Sequence, residues 1–140
     1  MSPEQNITLV RRFIEEAQTR HNLAAVDEYM SPEFVDHSAP PGLPSDREGV
    51  KMQFAMFFAA LPDLEAIIHD QVADAAKVVT RKTLRGTHRG DLLGMSPTGK
   101  RIEIEVIDIL AIREGKITDH WNLVDHLGML KQLGALPGQD

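Results

Sequence analysis

The thirteen residues RIEIEVIDILAIR, at 101–113, constrain this chain more than any other stretch. Ile102, Ile104, Val106, Leu110 and Ile112 occupy the even positions. The odd positions open with Arg101, Glu103 and Glu105 and continue with Ile107, Ile109 and Ala111. Strict period two is the signature of a strand with a core face, here the even one. Asp108 is the one charged residue on that face. A carboxylate among isoleucines and leucines is costly unless it is paired or hydrogen-bonded. It is therefore either a structural pin or a candidate proton carrier.

The rest of the chain supplies partners for this strand. Leu64 to Val72, Lys77 to His88 and Lys116 to Val124 also read as strands, with ADAAK, MSPTGK and REGK as turns. The N-terminal half reads as helices. Ser2, Pro3 and Gln5 form a capping box, and Ile7, Val10, Phe13, Ile14 and Ala17 recur at helical spacing. A short helix is expected from about Leu23 to Met30. Ser45 or Asp46 caps a third, running to about Ala60 with an apolar stripe of Val50, Phe54, Phe57, Phe58 and Leu61. EFVDHS is a short strand, and a closing helix spans His126 to Leu133. Met52, Met56 and Met129, also at helical spacing, are expected in the core. Helices followed by long strands predict one α+β domain over residues 1–140, three helices packed into a curved antiparallel or mixed sheet around a pocket.

The turn after Ile112 sets which side chains share the pocket face. A three-residue loop, Arg113-Glu114-Gly115, suits a hairpin with Gly115 in the left-handed position. It places Asp108 opposite His120 and Val106 opposite Asn122. Asp108, His120 and Asn122 are then the candidate catalytic group: an Asp–His pair moves protons near neutral pH, and an amide beside it holds an oxyanion. Trp121 faces the other way on this register, and a loop shorter by one residue would turn it inward. Phe54, Phe57, Phe58, His37, His88 and Trp121 are the candidate substrate contacts. Asp36-His37 ends a strand, where one of the two reaches the pocket mouth or the Asp bonds local backbone. Arg81, Lys82, Arg85 and Arg89 alternate with apolar residues and read as strand surface.

Composition removes several function classes. The net charge of -6 argues against a nucleic-acid partner. No cysteine is present, so thiolate chemistry and disulfides are excluded. No His-Glu-x-x-His, phosphate loop or serine elbow appears. The one metal constellation worth naming joins His37, His88 and His120 in space, and no metal is assigned. No signal peptide or membrane-length apolar run is visible, so the expectation is a cytoplasmic protein without a membrane partner.

GTHRGDLLGMSPTGK, GKITDHW and the closing D-x-x-G-x-x-x-Q-L-G pattern, in this order, resemble the SnoaL-like polyketide (ester) cyclase family of the nuclear transport factor 2-like superfamily. The resemblance spans nearly the whole chain. It implies a cone-shaped, cystatin-like α+β barrel with a deep apolar pocket, often dimeric through the sheet. It also implies a hydrophobic carbonyl substrate closed by intramolecular aldol chemistry, without cofactor. Isomerases, epoxide hydrolases and non-catalytic binding modules share the fold. On this resemblance the family's acid/base aspartate falls at Asn122 and its partner histidine at Asp108. The roles are then expected to be exchanged, with Asp108 carrying the proton and Asn122 binding oxygen.

Overall fold

The alternating stretch forms the central strand of a five-stranded sheet. The structure is a computed structural model describing residues 1–135; residues 136–140 of the expected domain span lie outside the described residues. The strands are β1 (Met30–Asp36), β2 (Glu65–Ala73), β3 (Lys77–Thr87), β4 (Arg101–Arg113) and β5 (Lys116–Val124), in the order β1-β5-β4-β3-β2. β1 runs parallel to β5, and the remaining pairs are antiparallel. The mixed α+β architecture expected from the sequence is the one found.

Helices α1 (Pro3–Ile14), α2 (Ala24–Tyr29), α3 (Arg47–Ala60) and α4 (His126–Leu133) start and stop where local chemistry directs. Ser2 accepts from the Gln5 amide while the Gln5 side chain accepts from the Ser2 amide, closing the capping box. Asp46 caps α3 through the Gly49 amide at 3.1 Å. Asp125 caps α4 through the Gly128 amide at 2.8 Å, and a Cβ on Gly128 would lie 2.3 Å from that carboxylate. Gln132 then exchanges two hydrogen bonds with the Glu103 backbone, at 2.6 and 2.7 Å. It continues the pairing of β4 beyond the end of β5. The closing D-x-x-G-x-x-x-Q-L-G pattern is thus a cap, a close approach and a strand clamp.

The even residues of β4, Ile102 to Ile112, are all buried, Asp108 among them. They join two apolar clusters. One gathers Val10, Phe13, Ile14, Val26, Val78, Leu110 and Ile117; the other gathers Leu61, Leu64, Leu84, Ile102, Ile104, Val106 and Met129. Burying each such aliphatic side chain contributes roughly 1.5–3 kcal/mol. Met129 lies in this core, whereas Met52 and Met56 are 47% and 55% exposed. The Val50–Phe54–Phe57 stripe takes the inward side of α3 and turns positions 52 and 56 to solvent.

The β4–β5 turn departs from the expected three-residue loop. Arg113 pairs with Lys116 and Ile112 with Ile117, leaving Glu114 and Gly115 as a two-residue turn. Both have positive φ, 53° and 75°, as a type I′ hairpin requires. That turn alone would bring Trp121 to the core face. Thr118, however, is an extra residue on β5: the next pair is Ala111 with Asp119. The two irregularities together preserve the expected parity but move every partner by two residues. Asp108 stands opposite Asn122, not His120, and His120 stands opposite Leu110.

Candidate active site

Between the two apolar clusters runs a band of polar side chains on the inward sheet face. β3 contributes Thr80 and Lys82 between Val78 and Leu84, and β4 contributes Asp108 between Val106 and Leu110. β5 adds His120 and Asn122, and β1 adds Asp36 at its end. Apart from Thr80, the band lines a cavity of about 830 Å³, counted with its open mouth, whose apolar wall includes Phe13, Phe54, Phe57 and Phe58.

Two close pairs organise the band. Lys82 Nζ lies 2.8 Å from Asp108 Oδ2, with side-chain exposures of 5% and 4%. The same ammonium donates to Gln18 Oε1 at 2.9 Å. Gln18 comes from Glu15–Thr19, where α1 widens into a π-type turn, a feature common beside functional sites. Ala17 and Gln18 are both buried there. Asp108 Oδ1 is buried and has no protein partner. In the second pair, His120 Nδ1 is 2.9 Å from Asp36 Oδ1. Asp36 also accepts from the Ser38 amide at 3.0 Å, and its own amide donates to the Ser45 carbonyl at 2.7 Å. The proline loop that follows β1 therefore fixes the carboxylate that orients His120. Engaging Nδ1 leaves Nε2 as the ring atom for exchange with a ligand. The Asn122 backbone is pinned by Ser38 Oγ at 3.0 Å, while Asn122 itself lines the cavity.

Not every candidate side chain reaches this cavity. Phe54, Phe57 and Phe58 line it, but His37, His88 and Trp121 do not. Asp36 points inward, so period two turns His37 outward; the same parity on β5 turns Asp119 and Trp121 outward. There His37 Nε2 meets Asp119 Oδ2 at 2.8 Å and stacks on Trp121 at 4.6 Å. The hydrogen bond from His37 holds the Asp119 carboxyl below the usual carboxylate range. His88 is fully buried and pins the β3–β4 connection: its Nδ1 accepts from the Thr98 amide at 3.2 Å, and its amide donates to the Lys100 carbonyl at 2.8 Å. Among the described residues no group of three or more His, Asp or Glu side chains is placed to hold a metal ion. Nor is any helix there long and apolar enough to cross a membrane.

Lys82 is the main correction. Read as strand surface, it lies in the centre of the site, 4% exposed. The signal was present: Val78 and Leu84 share its parity, so a buried Val78 carries Lys82 inward. Asp36 is the partner assigned to His120 by the parallel β1–β5 pairing, which sequence spacing does not announce.

The sequence pattern of SnoaL-like polyketide cyclases matches residues 8–133. The chain belongs to the SnoaL-like polyketide cyclase family. Among its relatives is the aklanonic acid methyl ester cyclase DauD of Streptomyces sp. (strain C5), 32% identical over 138 residues, covering 96% of this chain and 83% of the relative. The aklanonic acid methyl ester cyclase DnrD of Streptomyces peucetius is 31% identical over 132 residues, with 91% and 90% covered. TsrD of Streptomyces laurentii superposes with a TM-score of 0.88 at 28% identity, covering 97% of this chain and 99% of that one. In this SnoaL-like chain Asp108 and Asn122 face each other across β4 and β5.

Proposed function

We propose that this SnoaL-like chain closes a ring of a hydrophobic polycarbonyl substrate by intramolecular aldol addition, without a cofactor. The observation that carries the reading is the buried Asp108 carboxylate, whose Oδ1 has no protein partner in a cavity that also holds an Asp-oriented histidine. Aldol closure needs a base at the donor carbon and an acid at the acceptor oxygen, and the two pairs supply one each.

Asp108 takes a proton from a carbon next to a carbonyl, giving an enolate whose oxygen accepts from the Asn122 amide. The enolate carbon attacks a second carbonyl carbon of the same molecule. A carbon–carbon bond forms, and the carbonyl π pair moves onto oxygen. That oxygen takes a proton from the His120 imidazolium, which pairs with the Asp36 carboxylate. The proton left on Asp108 returns to His120 before the next turnover, so the net change moves one proton from carbon to oxygen. Phe54, Phe57 and Phe58 hold the ring system against the opposite wall.

Aklanonic acid methyl ester, the substrate named for the relatives, is the first probe, with product followed by chromatography. Asp108→Asn is expected to lower turnover about 10²–10⁴-fold, the span of general acid–base catalysis. Turnover within a few-fold of the natural protein would sink the mechanism. On the outer sheet face Leu123, Ile107 and Val35 are 80%, 48% and 40% exposed. We assign this face to a second copy of the chain. Light scattering should give twice the chain mass, and Leu123→Glu with Ile107→Glu should return it to one.

A further inference from the structure

We propose that Lys82 is a positioning residue: its ammonium keeps Asp108 ionised and decides which carboxylate oxygen is free to act. The inference rests on the reading of Asp108 as the base and extends it to a residue outside the candidate catalytic group.

Three observations carry it. Lys82 Nζ engages Oδ2 at 2.8 Å, Oδ1 is buried without a hydrogen-bond partner, and Asp108 lines the cavity. A second acceptor, Gln18 Oε1 at 2.9 Å, holds the ammonium from the helix side. Lys82 is thus anchored between a strand and a helix. Both charges are buried. A carboxylate in such surroundings favours its neutral form unless an opposite charge lies within about 4–6 Å. A neutral Asp108 cannot accept a proton from carbon, so the adjacent cation favours the form that acts as base. A lone carboxylate would also be free to turn either oxygen toward the substrate; the one-sided contact removes that choice. Gln18 acts one step further out, which gives the π-type turn of α1 a role at the site.

The test has two readouts, one independent of turnover. The first is the side-chain carboxyl carbon resonance of Asp108, followed by NMR against pH in the unliganded protein. Lys82→Met should move its titration midpoint upward, while Lys82→Arg, which keeps the charge, should hold it near the natural position. Should Lys82→Met fail to fold, Gln18→Leu provides the same test with a smaller upward movement. The second readout is the pH profile of kcat/KM on aklanonic acid methyl ester, whose acid limb should move in the same direction. An unchanged Asp108 midpoint in the folded Lys82→Met protein, or in Gln18→Leu if that variant alone folds, overturns the proposal whatever the turnover. A midpoint that moves while the acid limb stays fixed overturns Asp108 as the base, leaving the hold of Lys82 on the carboxylate intact. Trapping of a carbonyl probe on Lys82 by borohydride would also overturn it, since the lysine would then be a nucleophile.

Discussion

The same sheet carries a nitrogen–carboxylate contact on each face. On the inward face Lys82 and Asp108 are 5% and 4% exposed; on the outward face His37 and Asp119 are 39% and 32% exposed, at the same 2.8 Å separation. Contact distance does not distinguish them, but solvent does. Water screens the outward pair and can replace either partner. The inward pair has only Gln18, the facing strand and the cavity. Removing one member there leaves an unpaired charge in an apolar layer.

The largest expected effect follows from that difference. Lys82→Met should cost about 3–5 kcal/mol in urea unfolding, the usual cost of stranding a buried charge. Lys82→Met combined with Asp108→Leu should recover most of it, since an apolar replacement strands nothing. A double variant as unstable as the single one would place the cost in packing, not charge. Next in size is Asn122→Asp. It sets two carboxylates directly opposite each other on β4 and β5. This variant should lose about 1 kcal/mol or more at pH 8 and less at pH 5, where one proton can be shared. A loss independent of pH would show that the two side chains do not face each other.

The smallest effect belongs to the outward pair. His37→Ala should change stability by only about 0.2–1 kcal/mol and leave turnover unchanged. Asp119 is held below the usual carboxylate range in the folded chain, so its contribution is present above the unfolded value and lost as pH falls through the folded one. The difference between Asp119→Asn and the natural protein should therefore shrink on acidification. A difference that grows instead would reverse the sign assigned to the His37 contact.

Asp108 and Asn122 stand directly opposite each other on β4 and β5. A second carboxylate at 122 would face the first, and an amide of the same shape avoids that repulsion.

Much of this was legible in the chain itself. Alternation in β4 identified the core face and Asp108 upon it; capping residues located α1 and α3; parity placed His120 and Asn122 inward. What escaped reading was pairing. The β1–β5 contact joins residues some eighty positions apart, so Asp36 had no local signal as the partner of His120. Lys82 was misread because charge was given more weight than its place between Val78 and Leu84. The register moved by two residues on β5 because a glycine suits both a three-residue loop and the last position of a type I′ turn, and because the extra residue at Thr118 has no signal of its own in the sequence.

The extra residue at Thr118 has a consequence for how such a sequence can vary. Because Thr118 has no partner on β4, deleting it would leave a regular ladder with the same pairs downstream, Ala111 with Asp119 and Asp108 with Asn122. A single residue added between His120 and Asn122 is different, because it would turn one of the two out of the cavity. The hairpin therefore tolerates a change of length at its bulge and not within the short span that delivers the site.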